Sequence, residues 1–154
     1  MGEFADDVVA RLKNGLVREK SAYNWKAEYG ISGTPVDLAG VSADSTVLIE
    51  LEWRRADPAD NTAKIFRHLS DSESMKNVTV VQLFTYHYDL VSGDISSKRK
   101  NAEFVGRVAA ESLDELNYCP IGFGIDPPKS GEERPPGWKE TTDAMTMELA
   151  SIVG

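Results

Sequence analysis

Cysteine is nearly missing from this chain: Cys119 stands alone among 154 residues, so no internal disulfide can form and the fold must be held by its core. Histidine is almost as scarce. His68 and His87 are the only two, which leaves no Cys/His cluster for a structural zinc site. No apolar run approaches the length needed to cross a bilayer, and the first residues lack the pattern of a secretory signal. A cytoplasmic setting is the expectation, with Cys119 a buried core thiol. No nucleophile elbow, internal repeat or low-complexity tract is present. Basic residues are in deficit as well: 17 Lys and Arg against 25 Asp and Glu give a formal net charge of −8. That balance counts against a broad electrostatic nucleic-acid surface, because such surfaces gain affinity by releasing phosphate counterions.

What is present points to one folded unit. With 41% hydrophobic residues over 154 positions, the chain can bury a proper core as a single domain, residues 1–154, without needing a second. Phe4, Val8, Val9, Leu12 and Leu16 recur at helical spacing and predict a helix over residues 3–16. Residues 23–31 can form a strand with Trp25, Ala27 and Tyr29 on one face and Lys26 and Glu28 on the other, which makes Glu28 a spare acid. The run 78–86 is apolar on both parities and reads as a buried strand. Gln82 interrupts it, and a buried amide needs partners, either at the acidic site or, as expected here, on backbone. Ala102, Val105, Val108, Ala109 and Leu116 predict a helix over 97–116, followed by a strand over 118–125. Residues 126–137, rich in Pro, Gly and charge, form a loop, either a lid or a linker to a last helix over 138–153.

The chemistry concentrates between residues 34 and 69. On a strand over 46–53, like-parity residues share a face, so Glu50 and Glu52 point one way while Val47, Ile49, Leu51 and Trp53 point the other. Asp37 lies on the preceding apolar run, and the Gly, Ser and Asp residues of 40–45 supply turn signals that would fold one strand back on the other. A Glu-x-Glu pair is ordinarily the solvated face of an edge strand. Here the strand is too apolar for an edge, and acids on a central strand are costly unless paired or metal-bound. Asp37, Glu50 and Glu52 are therefore expected within reach of one divalent cation, Mg2+ or Mn2+.

Asp37, then Glu50-Leu51-Glu52, then a helix over 58–69 and a further strand, all preceded by a helix carrying Glu3, resembles the order of the PD-(D/E)XK nuclease superfamily over about residues 1–90. That resemblance implies an α/β domain of restriction-endonuclease-like type, with a central mixed β-sheet flanked by α-helices. It also implies a Mg2+- or Mn2+-dependent nuclease that hydrolyses phosphodiester bonds, with DNA as the expected substrate. Two departures stand out. Val36 rather than Pro precedes the Asp, although Pro35 lies one residue earlier, and Glu52 occupies the place of the usual catalytic lysine. Either Glu52 works there or Lys64, on the following helix, takes the role. Asn61, Lys64 and His68 fall on one polar stripe of that helix, beside a packing face of Thr62, Ile65, Phe66 and Leu69.

Under this reading Asp37 and Glu50 hold the metal, with Glu3 completing the shell through a water, and Glu52 or Lys64 positions or deprotonates the nucleophile. A cation there would acidify the attacking water and neutralise charge developing on phosphate. Arg54, Arg55, Asn61, Arg67 and His68 are the expected nucleic-acid contacts. Lys98-Arg99-Lys100 reads either as part of a phosphate-facing rim or as ordinary solvated surface. The sequence leaves a homodimer open. It also leaves open a catalytically inactive relative of the fold, a binding or protein-interaction module, which the missing lysine and the acidic balance would suit.

Overall fold

The computed structural model describes residues 2–72, 75 and 77–154. In chain order the elements are α1 (Glu3–Glu19), β1 (Asn24–Ile31), β2 (Thr34–Val41), β3 (Thr46–Glu52), α2 (Pro58–Ser70), β4 (Val78–Phe84), a 3-10 turn (Tyr86–Tyr88), α3 (Ser97–Ser112), β5 (Leu116–Gly122) and α4 (Trp138–Ile152). The strands form one mixed sheet in the order β1-β2-β3-β4-β5. The first three run antiparallel, and β3, β4 and β5 run parallel. This bears out the α/β fold with a central mixed sheet flanked by helices, and it puts β3, with its two glutamates, in the middle. All seven residues of β3 are buried.

Local chemistry sets these boundaries. Ser32 and Gly33 both have positive φ, the conformation a two-residue hairpin turn requires. Ser42 closes the next turn by accepting hydrogen bonds from the Asp44 and Ser45 amides. Asp57 caps α2 by accepting from the Asp60 amide, with Pro58 at the helix start, and Ser96 caps α3 through the Arg99 amide. Gly40 is required for contact: a Cβ there would sit 2.6 Å from the Trp25 ring.

A core lies on each face of the sheet. Val8, Leu12 and Leu16 of α1 and Leu149 of α4 pack on Leu38, Ile49, Leu51 and Leu83. Ile65, Phe66 and Leu69 of α2 pack on Val36, Leu48 and Val80 from the other side. The packing face expected of α2 is therefore found, and so is the division of β3 into two faces. Phe4 is half-buried and meets Trp53 and Trp138 edge-on.

Three expectations are corrected. Trp25 and Tyr29 do not share a face: Trp25 joins the α1/α4 core and Tyr29 the α2/α3 core. The cause is Glu28, whose φ of +50° rotates the chain between them. The third helix stops at Ser112, and Val108 is 45% exposed rather than packed. Cys119 is half-buried on β5, with burial raising its thiol pKa. No helix among the described residues is long and apolar enough to cross a membrane.

Candidate active site

The β2–β3 ladder runs from Val41↔Thr46 to Leu38↔Ile49 and then ends. The next pair would be Asp37 and Glu50, and there side chains replace the ladder. The Leu51 N–H donates to Asp37 Oδ2 at 2.7 Å, and the Asp37 N–H donates to Glu50 Oε1 at 3.2 Å. Buried backbone amides must find acceptors, and here carboxylates supply them as the strands part. The two acids sit side by side at the parting.

A groove of about 350 Å3 opens over this point. Asp37 and Glu50 line it together with Asp6 of α1, Glu28, the hairpin residues Thr34 to Val36, Arg55, and Asn61 and Lys64 of α2. Asp37 also borders a second hollow between α1 and the hairpin. Four acids thus face two side-chain cations, Arg55 and Lys64, both exposed, with Lys64 on the α2 side. Burial comes first among the causes that push the Glu50 carboxyl up to about 9, followed by the adjoining Asp37 carboxyl, while a hydrogen bond from Asn61 opposes them.

Glu52 does not share this position. It is fully buried, and its Oε1 accepts from Asn61 Nδ2 at 2.6 Å and from Gln82 Nε2 at 2.8 Å. Its Oε2 has no hydrogen bond, only the Arg55 Nε at 3.3 Å. Burial raises its pKa, against the pull of Asn61, Gln82 and Arg55. Behind it Tyr118 Oη donates to Gln82 Oε1, Gln82 Nε2 also donates to Thr62 Oγ1, and the Thr62 hydroxyl lies within donating distance of both the Pro58 carbonyl and Gln82 Oε1. Asn61 joins the two glutamates, since the same amide also donates to Glu50 Oε2 at 3.0 Å.

Several expected roles change accordingly. Among the described residues, no group of three or more His, Cys, Asp or Glu side chains is arranged to hold a metal ion, so Asp37, Glu50 and Glu52 do not form a three-carboxylate centre. Glu52 is turned away because two amides and a guanidinium hold it inside. Glu3 is exposed at the start of α1, and the helix acid lining the groove is Asp6, three residues on. Asn61 is buried rather than a surface contact. Arg67 borders the hollow on the α3 side of α2, and half-buried His68 does not line the groove. Arg54 reaches the other way, donating to the Pro128 carbonyl at 3.2 Å. Gln82 bonds side chains, not backbone.

Asp6, Thr62 and Tyr118 are the participants sequence reasoning missed, whereas Gln82 was foreseen as a buried amide in need of partners. Only Gln82 carried a signal, as the one amide in an apolar strand. No protein-family model matches the chain, and no curated protein matches it.

One expected result follows from this network. Asn61→Ala strips a shared donor from two buried carboxyls, which should cost about 1–3 kcal/mol or more of stability and move Glu50 further above the usual carboxylate range. Urea unfolding at neutral pH measures the first effect. A variant as stable as the parent would show that the amide is not holding the acids.

Proposed function

We propose that this protein is a divalent-metal-dependent nuclease of restriction-endonuclease-like fold, acting on phosphodiester bonds in DNA. The observation that carries the reading is Glu50: a carboxyl 4% exposed on the central strand, set against Asp37 at the floor of an open groove. Burying one acid against a half-buried second is costly unless a cation compensates them. Asp37 and Glu50 offer hard oxygens oriented by backbone amides and Asn61. That donor set fits Mg2+ or Mn2+, since Mg2+ is commonly held by one or two carboxylates with water and phosphate oxygens completing its shell. A bound ion would supply acidification of water and neutralisation of phosphate charge.

The chain's own residues divide the remaining work. Asn61 holds Glu50 and Glu52 in fixed relation. Arg55, paired to Glu52, and Lys64 present positive charge along a groove that is otherwise acidic, where a phosphate must lie. Lys64 takes the place of the family lysine, because Glu52 is enclosed and Lys64 is open to the groove.

A second reading has one observation in its favour. Glu52, standing where the lysine is usual, is built into the interior, as it would be in a non-catalytic relative that only binds. Incubation of supercoiled, linear, branched and single-stranded DNA with Mg2+ or Mn2+ separates the two. Metal-dependent cleavage that disappears in Asp37→Asn is the expected result. Saturable DNA binding without cleavage favours the binding module, and neither cleavage nor binding overturns both.

A further inference from the structure

On the far side of α2 from the acidic groove, α3 turns Phe104 and Val108 to solvent, 67% and 45% exposed. They lie one turn apart on a single face and border a hollow of about 490 Å3 floored by Ala63, Phe66, Val105, Ala109 and Leu113. Isolated exposed apolar side chains need no explanation, but an aromatic and a valine continuous with an apolar hollow form the kind of surface that marks an interaction site.

The ends of the same face indicate what covers it. One turn before Phe104 stands Lys100, and one turn after Val108 stands Glu111, both exposed. The face therefore reads positive, apolar, apolar, negative along about 16 Å of helix. A parallel neighbour would set like against like. An antiparallel copy of α3 sets Phe104 beside Val108, and Lys100 against Glu111, at both ends at once. The helix dipoles also oppose favourably. The pattern is self-complementary under a two-fold axis, as an isologous contact must be. Among the described residues Lys100 pairs with Asp94 alone, at 3.5 Å in an exposed pair, and Arg107 is already engaged by Glu103 at 2.7 Å, so the pairing competes with no strong contact.

We propose that a second copy of this chain docks here, giving a two-fold homodimer through antiparallel α3 helices. The contact leaves the acidic groove of each copy open, because Asn61 and Lys64 line that groove while Ala63 and Arg67 face the α3 side of α2. It therefore stands apart from the nuclease reading.

Sedimentation equilibrium of the full chain over a concentration series is the test. A monomer–dimer equilibrium is expected. Phe104→Glu should leave monomer only, with the circular dichroism of the folded chain unchanged since the residue is exposed, and with a melting temperature that no longer rises with protein concentration. Lys100→Glu should weaken the dimer about tenfold, because the two-fold axis counts each exposed pair twice, and Lys100→Glu combined with Glu111→Lys should restore it. Higher salt should reduce the difference between these variants. A parent that is monomeric throughout, or a dimer that both Phe104→Glu and Lys100→Glu leave intact, overturns the proposal. If Phe104→Glu fails to fold, the charge reversal and its rescue decide alone.

Discussion

Glu50→Gln should abolish metal-dependent cleavage, by on the order of 10²–10³-fold or more, and should at the same time stabilise the metal-free protein at neutral to alkaline pH. The amide keeps an oxygen for the Asp37 N–H, which bonds Glu50 Oε1 at 3.2 Å, so the parting of β2 and β3 is preserved. The titrating group is removed. In the parent, the Glu50 pKa rises from 4.5 to about 9 on folding. Below pH 4.5 both states carry the proton and there is no penalty. Between pH 4.5 and 9 the unfolded chain has released a proton that the folded chain retains, so stability falls as pH rises, by about 1.4 kcal/mol per pH unit for one such group. Glu52, also raised by burial, acts in the same direction. Melting temperatures from pH 5 to 9 in chelator should therefore slope downward for the parent and less steeply for Glu50→Gln. Parallel slopes would place the buried proton elsewhere, and retained cleavage in the variant would remove Glu50 from the site.

Lys64→Ala carries the second large effect, a loss of turnover of about 10²-fold or more. Lys64 lines the groove from α2 and is exposed, so its ammonium is the mobile cation able to meet a phosphate or the nucleophile. Removing it leaves Arg55, which is tied to Glu52, as the other side-chain cation lining the groove. If Lys64 merely touched the DNA backbone, the variant would lose affinity in a salt-dependent way with kcat unchanged. Single-turnover rates at saturating DNA distinguish the two. Glu52→Gln supplies the control: the two amides donating to Oε1 need an oxygen, not a charge, so turnover should survive that change if Lys64 is the working residue. Loss of turnover in Glu52→Gln with a normal Lys64→Ala would reverse the assignment.

Strand parity was enough to put Glu50 and Glu52 on the α2 face and Ile49 and Leu51 on the opposite one, because alternation is a property of the extended backbone itself. It could not say how deep each side chain sits. Both glutamates accept from Asn61, and Glu52 differs from Glu50 in its further partners, Gln82 on β4, 30 residues away, and Arg55. The pairing of Asp37 with Glu50 was legible from the turn between their strands. The loss of the ladder at that point was not, because it depends on amides choosing carboxylates over carbonyls. The face change at Glu28 was hidden for a related reason: a positive φ at a glutamate has no signature in the alternation of its neighbours. Val108 was expected inward by helical spacing, yet it faces solvent beside Phe104. They face outward because Ala102 and Gly106 make the close approach instead, with Gly106 against the Tyr118 ring.

Calorimetric titration of Mg2+ or Mn2+ into the metal-free protein tests most directly whether Asp37 and Glu50 share one ion. The expected result is a single saturable site in the parent, with a proton released on binding between pH 7 and 8, seen as a heat that varies with the ionisation enthalpy of the buffer, because the Glu50 carboxyl must ionise to accept the cation. Both Asp37→Asn and Glu50→Gln should lose that site while remaining folded. A parent that binds no ion, or variants that bind it as tightly as the parent, would contradict the shared-ion site.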